Sequence, residues 1–157
     1  MYTAETLSGN TNIYFNDELL LKCVVYKYLF RDAFHVETID GTKILEIKIK
    51  HFLGFRKKHE ILNQKLSKEI KIHHVKGKPC VKVRKSTISF RKKTKAWKFE
   101  GDFMINNNVA GSVTNSLSLF KSSFNFNFTK GNDLINFCLI LFSIMIIDEF
   151  NSRPPVN

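Results

Sequence analysis

The chain has 157 residues, 43% of them hydrophobic, with 15 phenylalanines and a net charge of +11. That apolar share argues against disorder, and the length suits one domain with a substantial core. Its three cysteines, Cys23, Cys80 and Cys138, are widely spaced and form no C-x-x-C, so neither a disulfide framework nor a zinc site is expected, and reduced thiols in the cytosol or nucleus are.

Residues 1–12 are polar and turn-rich and read as a flexible end. Leu19–Val25 is apolar, but it follows Asp17 and Glu18 and is broken by Lys22, so no secretory signal is expected. Period-two alternation then predicts strands. Phe34 and Val36 alternate with His35 and Glu37; Leu45, Ile47 and Ile49 alternate with Glu46, Lys48 and Lys50. Ile70 and Ile72 oppose Lys71 and His73, Val81 and Val83 oppose Lys82 and Arg84, and Phe124, Phe126 and Phe128 oppose Asn125 and Asn127. One face of each run is apolar and the other polar, as an antiparallel sheet wetted on one side requires. Turn signals at Asp40-Gly41, at 76–79, 106–108 and 130–132 space these runs for eight or more strands. A weak echo, in which Asp40-Gly41, Leu45 and Ile47 match Asn107-Asn108, Gly111 and Val113, suggests two similar halves.

Residues 134–147 carry no charge and are bracketed by Asp133 and by Asp148-Glu149. A helix apolar on all sides is either enclosed by protein or sits in a membrane. Fourteen residues of helix rise about 21 Å at roughly 1.5 Å each. A hydrocarbon core of about 30 Å needs roughly 20 residues. Asn136 and Ser143 interrupt the run, and no cation follows until Arg153, which leaves a positive-inside anchor poorly drawn. A buried helix at about 133–150 is therefore expected, with Asn132 as its cap and Asp133 in its first turn. The fold class that follows is mainly β (α+β): a closed antiparallel barrel enclosing a hydrophobic C-terminal helix. It forms one domain over 13–152, with 153–157 as a short tail, no transmembrane span and a monomeric state expected.

Cys23–Lys27, Ala33–Val36 with Asp40-Gly41, the basic stretch 50–61, Phe99 and Gly101 within 97–103, and above all 144–151 at the end of the apolar helix occur in a recognisable order. In these features the chain resembles the LURP-one-related proteins, found in plants and related to the tubby C-terminal-like superfamily and to phospholipid scramblases. The likeness spans about residues 20–152, with Phe103 standing where the family usually has tryptophan. The resemblance implies a tubby-like barrel around a central helix, and suggests membrane association with a role in signalling, defence or transcription.

The charge is concentrated in the middle of the chain. Residues 43–100 hold 19 Lys/Arg against 4 Glu, a local +15, and the remainder carries −4. Lysine also serves simply to solvate the outer faces of strands. The sharpest clusters are Arg56, Lys57 and Lys58, and Arg91, Lys92 and Lys93 with Lys95. Successive strand residues face opposite ways, so such triplets belong at turns or strand ends, where they would converge on an anionic ligand such as a phosphorylated lipid headgroup. Nucleic acid is the alternative partner, with Trp97 or Tyr26 as a stacking surface, although no helix-turn-helix, zinc finger or RNP-like pattern is present. A protein-interaction domain without a lipid ligand is the third reading.

Catalysis is not expected. His73 and His74, as strand neighbours, diverge, while His35, His51 and His59 read as surface groups. Cys80 follows Pro79 in an expected turn and has no evident base. Carboxylate pairs, calcium loops and Gly-rich phosphate loops are absent, so no metal or cofactor is expected. A non-enzymatic, peripheral membrane-binding adaptor is the expectation, cytoplasmic and either membrane-associated or nuclear.

Overall fold

A computed structural model describes residues 1–7, 9–28, 31–52, 56–93, 99–117 and 122–151. Twelve strands precede one helix: β1 (Tyr2–Leu7), β2 (Asn10–Phe15), β3 (Glu18–Tyr28), β4 (Arg31–Thr38), β5 (Lys43–Phe52), β6 (Arg56–Gln64), β7 (Ile70–Val75), β8 (Lys78–Val83), β9 (Ser86–Lys92), β10 (Gly101–Ile105), β11 (Asn108–Leu117), β12 (Ser122–Phe128) and α1 (Ile135–Asn151). Residues 1–12, read from sequence as a flexible end, instead supply β1 and the start of β2. Ala4 and Ile13 there are fully buried. The tail at 153–157 lies outside the described residues.

Tight turns set the hairpins. Asn16 and Asp17, Lys76 and Gly77, and Asn106 and Asn107 each place two successive residues at positive φ, between 49° and 77°. Two-residue loops of this hand match the right-handed twist of the flanking strands. Asn, Asp and Gly adopt that conformation at low cost, whereas Lys76 adopts it under strain.

All neighbouring strands pair antiparallel, in the order β6-β5-β4-β3-β2-β1-β12-β11-β10-β9-β8-β7. The first and last strands join, with Tyr2 opposite Phe126 and Ala4 opposite Phe124. Two six-stranded meanders are thus fused through the first and last strands, β1 and β12, and among the described residues β6 and β7 face each other without a backbone ladder. The sequence echo falls on β5 and β11, the fifth strand of each meander. The result is a nearly closed twelve-stranded barrel around α1.

The inward residues and the helix make one core. Leu139, Leu141, Phe142, Ser143, Ile144 and Ile147 of α1 are wholly buried. Phe142 sits in an aromatic cage, edge-on to Phe124 and Phe126 with both centroids at 4.9 Å, and to Phe99 at 5.5 Å. Such edge-to-face pairs add about 0.5–1.5 kcal/mol each beyond area burial. Twelve strands enclose more volume than wall side chains can fill, and the all-apolar helix occupies the remainder. Cys23 of β3 donates from Sγ to Ser143 Oγ at 3.1 Å, and Ser143 Oγ donates to the Leu139 carbonyl at 3.0 Å, so the polar residue inside the helix is satisfied. No described helix is long and apolar enough to cross a membrane.

The helix start departs slightly from expectation. Asn132, expected as the cap, instead forms an Asx turn just ahead of the helix, its Oδ1 accepting from Leu134 N–H at 2.9 Å, while Leu134 holds the cap position and its carbonyl accepts from Cys138 N–H at 3.1 Å. Asp133 precedes the helix rather than entering its first turn, and pairs with Lys68 at 2.6 Å. Cys80, expected in a turn, lies within β8, because Pro79 is itself a strand residue there.

Candidate functional site

The expected site lies at the barrel end where α1 finishes. β6 opens here with Arg56, and β9 closes here with Arg91 and Lys92. Strand alternation splits each triplet instead of letting it converge. Ile49 faces the core and lies opposite His59, so His59 and Lys57 face inward. Lys57 Nζ donates to the Asp148 main-chain carbonyl at 2.6 Å and stands 4.0 Å from its carboxylate. By the same parity Lys92 faces inward, 3.6 Å from Glu149 and 6.0 Å above the Phe99 ring. A helix C-terminus carries partial negative charge, and α1 has no basic residue in its last turn. The central lysine of each triplet supplies the missing cation from the wall.

Lys58, Arg91 and Lys93 point outward. Arg91 Nη2 lies 2.9 Å and Lys93 Nζ 2.6 Å from the carboxylate of Asp102, whose side chain is only 5% exposed. The Lys93 hydrogen bond, joined by that of Arg91, holds the Asp102 carboxyl below the usual carboxylate range. Lys58 is exposed on the outer face. Lys95 and Trp97 lie outside the described residues. Lys57, Lys92, Lys93 and Arg91 are therefore each engaged by a carboxylate or carbonyl of the protein itself.

Two histidines read from sequence as surface groups are buried: His35 is 2% exposed and His59 4%. His35 lies on the outer wall, in contact through Nε2 with Glu37 and with the Tyr26 hydroxyl at 3.3 Å, beneath a Tyr26 ring 4.8 Å away. Tyr26 also has Lys43 Nζ 5.9 Å from its centroid, so the ring proposed for base stacking already has neighbours. His51 is in β5. His73 and His74 do diverge, lying opposite Cys80 and Pro79 respectively.

His74 instead meets His59 across the gap between β6 and β7. The rings stack at 5.1 Å and 13°, with His59 Nδ1 2.9 Å from His74 Nε2, while His59 Nε2 lies 3.0 Å from Asp148 Oδ1. Burial and then the charge on His59 lower the His74 pKa; Asp148 opposes them, and His73 and Lys58 add to the lowering. Toward the other end Gln64 bridges the same gap, its amide accepting from Ile70 N–H at 2.9 Å and donating to the Ile70 carbonyl at 3.2 Å. Among the described residues, no group of three His, Cys, Asp or Glu side chains is placed to hold a metal ion.

The outer face beside this gap carries a feature that residue clusters in the sequence did not reveal. Lys71 stands directly opposite Lys82 on the β7–β8 hairpin, and Lys50 opposite Lys58 on β5–β6. Lys50 is relieved by Glu60 at 2.5 Å. Among the described residues Lys58, Lys71, Lys76, Lys78 and Lys82 form no ion pair. Like charges directly opposite one another destabilise a sheet. The signal was present in the sequence: a two-residue turn at Lys76-Gly77 makes positions 71 and 82 partners. No family model, no curated protein and no solved structure matches the chain.

Proposed function

We propose that the protein is a non-enzymatic barrel of the LURP-one-related kind that docks reversibly on anionic phospholipid surfaces, phosphoinositide-bearing ones in particular, as a signalling adaptor. The observation that carries this reading is the facing pair Lys71–Lys82, tolerated beside exposed Lys58, Lys76 and Lys78, with none of the five in an ion pair among the described residues and with Glu60 beside Lys58 already held by Lys50. Each Lys near an anionic leaflet contributes about 1 kcal/mol. Five give about 5 kcal/mol, a sub-millimolar and reversible grip suited to peripheral docking. Lys57, Arg91, Lys92 and Lys93 contribute less on this reading, because each is met by a carboxylate or carbonyl of the protein itself. Three buried free cysteines fit a reducing compartment, the cytosol or nucleus. The non-enzymatic part is supported by the Cys80 thiol, whose pKa burial raises where an activated nucleophile needs it lowered.

Vesicle sedimentation tests the proposal, comparing neutral with phosphoinositide-bearing liposomes at low and high salt. Salt-sensitive binding to the anionic vesicles only, lost in the Lys71→Glu/Lys82→Glu double variant, supports it. Equal recovery with both vesicle types overturns it. Tight gel-shift of duplex or single-stranded DNA, unaffected by competing anionic vesicles, would move the same lysines to a nucleic-acid partner.

A further inference from the structure

The barrel wall is unladdered along one line, and side chains hold that line at two points of different chemistry. Gln64 is an amide that cannot titrate near neutrality. The His74 imidazole, held against His59, can. With neutral rings, His59 Nε2–H donates to Asp148, and His74 Nε2–H donates to His59 Nδ1. One added proton is accommodated by reversing the inter-ring bond: His59 becomes an imidazolium that donates to both Asp148 and His74. A second proton is not accommodated. Nδ1–H of His59 would then face Nε2–H of His74 with no acceptor between them.

The other groups nearby set the balance. From α1, Asp148 opposes the added charge; from β6, Lys57 reaches Asp148 and Lys58 adds repulsion; from β7, His73 adds more. Lys92 on β9 is turned to Glu149.

The geometry points to a proton-operated latch: when both imidazoles are charged, β6 and β7 part at the end of the barrel where α1 finishes, while Gln64 holds the other end as a hinge. No backbone ladder has to break for this opening, so only side-chain contacts at one end resist it. The latch stands apart from the lipid reading, since it needs no ligand.

Hydrogen exchange, corrected for the intrinsic rate, tests it at about pH 7.5 and about pH 5, on either side of the ordinary imidazole value. In the wild-type chain, peptides spanning 57–64 and 70–75 should exchange about tenfold faster at the lower pH, with β11 and β12 unchanged. His74→Gln keeps a donor toward His59 without a titrating ring, and should abolish the response. His74→Phe keeps the stack and should do the same. A response spread evenly over the sheet, no response in the wild type, or a seam response that persists in a folded variant overturns the latch. Should neither variant fold, the location of the wild-type response decides between these outcomes.

Discussion

The side chain of Gln64 both accepts from and donates to the backbone of Ile70, at 2.9 and 3.2 Å, and so takes the place of a ladder residue between two strands that otherwise do not pair. Gln64→Ala should cost about 1–2 kcal/mol, because it leaves a part-buried donor and acceptor on Ile70 without protein partners. Gln64→Glu should cost more at neutral pH, since a carboxylate would face the Ile70 carbonyl. Urea midpoints for the three chains give the ranking directly.

Charge reversal on the β7–β8 hairpin should separate folding from binding. Lys71→Glu converts a repulsive cross-strand pair into an attractive one, and a gain of about 0.2–1 kcal/mol is expected. Adsorption to anionic vesicles should fall with the same change. Thermal unfolding and sedimentation on one preparation reveal whether stability and binding move in opposite directions.

Gly101 is required by its neighbours rather than by its backbone angles. A Cβ there would stand 2.4 Å from the Arg91 carbonyl oxygen and 2.5 Å from the Phe90 ring, and the backbone oxygen cannot swing away. Gly101→Ala should cost about 3 kcal/mol, at the upper end of ordinary overpacking. Gly41 has φ of +79° with open space around it, so alanine there should cost only backbone strain of about 1–2 kcal/mol. Midpoints for the pair should differ in that order.

Burial pushes the thiols of Cys23 and Cys138 up to about 12 and raises that of Cys80. The thiolate is the reactive species, so all three should resist a thiol reagent near pH 8 in the folded protein. Labelling of Cys23 and Cys138 should follow the rate of global unfolding. Early labelling of either, resolved by mass spectrometry, would mean that the helix leaves the barrel without unfolding it.

Acid should weaken the protein partly through Asp102. Its folded-state pKa is held below the unfolded value by Lys93 first and by Arg91 after it. The resulting stability is present above the unfolded value of about 3.9 and is lost as pH falls through the folded one. His74, also lowered in the folded state, removes stability as pH drops below about 6.5, because the unfolded ring takes up a proton that the folded ring refuses. Melting temperature against pH should thus fall in two steps, with Asp102→Asn flattening the lower and His74→Gln the upper.

The wall was legible because each apolar–polar alternation had one job, and Phe34, Val36, Leu45, Ile47, Val81 and Val83 all turned inward as the period required. The helix was legible because an uncharged run of that length has few places to go. His59 was not. A histidine between Lys58 and Glu60 looks solvated, and only the register with Ile49 reveals that it faces the core. The triplets misled for the same reason: proximity in sequence favours convergence, while the pleat sends Lys57 and Lys92 in and Lys58, Arg91 and Lys93 out. Residues 1–12 looked loose because their partner strand, β12, comes at the far end of the chain.

The unladdered line also bears on how the molecule assembles. α1 follows every strand of its own enclosure in the chain, and its seventeen residues make a rod of about 25 Å. Sliding such a rod lengthwise into a sealed cylinder would demand that each apolar ring pass the rim in turn. A wall that swings apart between β6 and β7 sacrifices no main-chain bonding and lets the helix be laid in sideways. The topology thus allows two six-stranded leaves, joined where β1 meets β12, to close over the helix along the line held by Gln64 and His59.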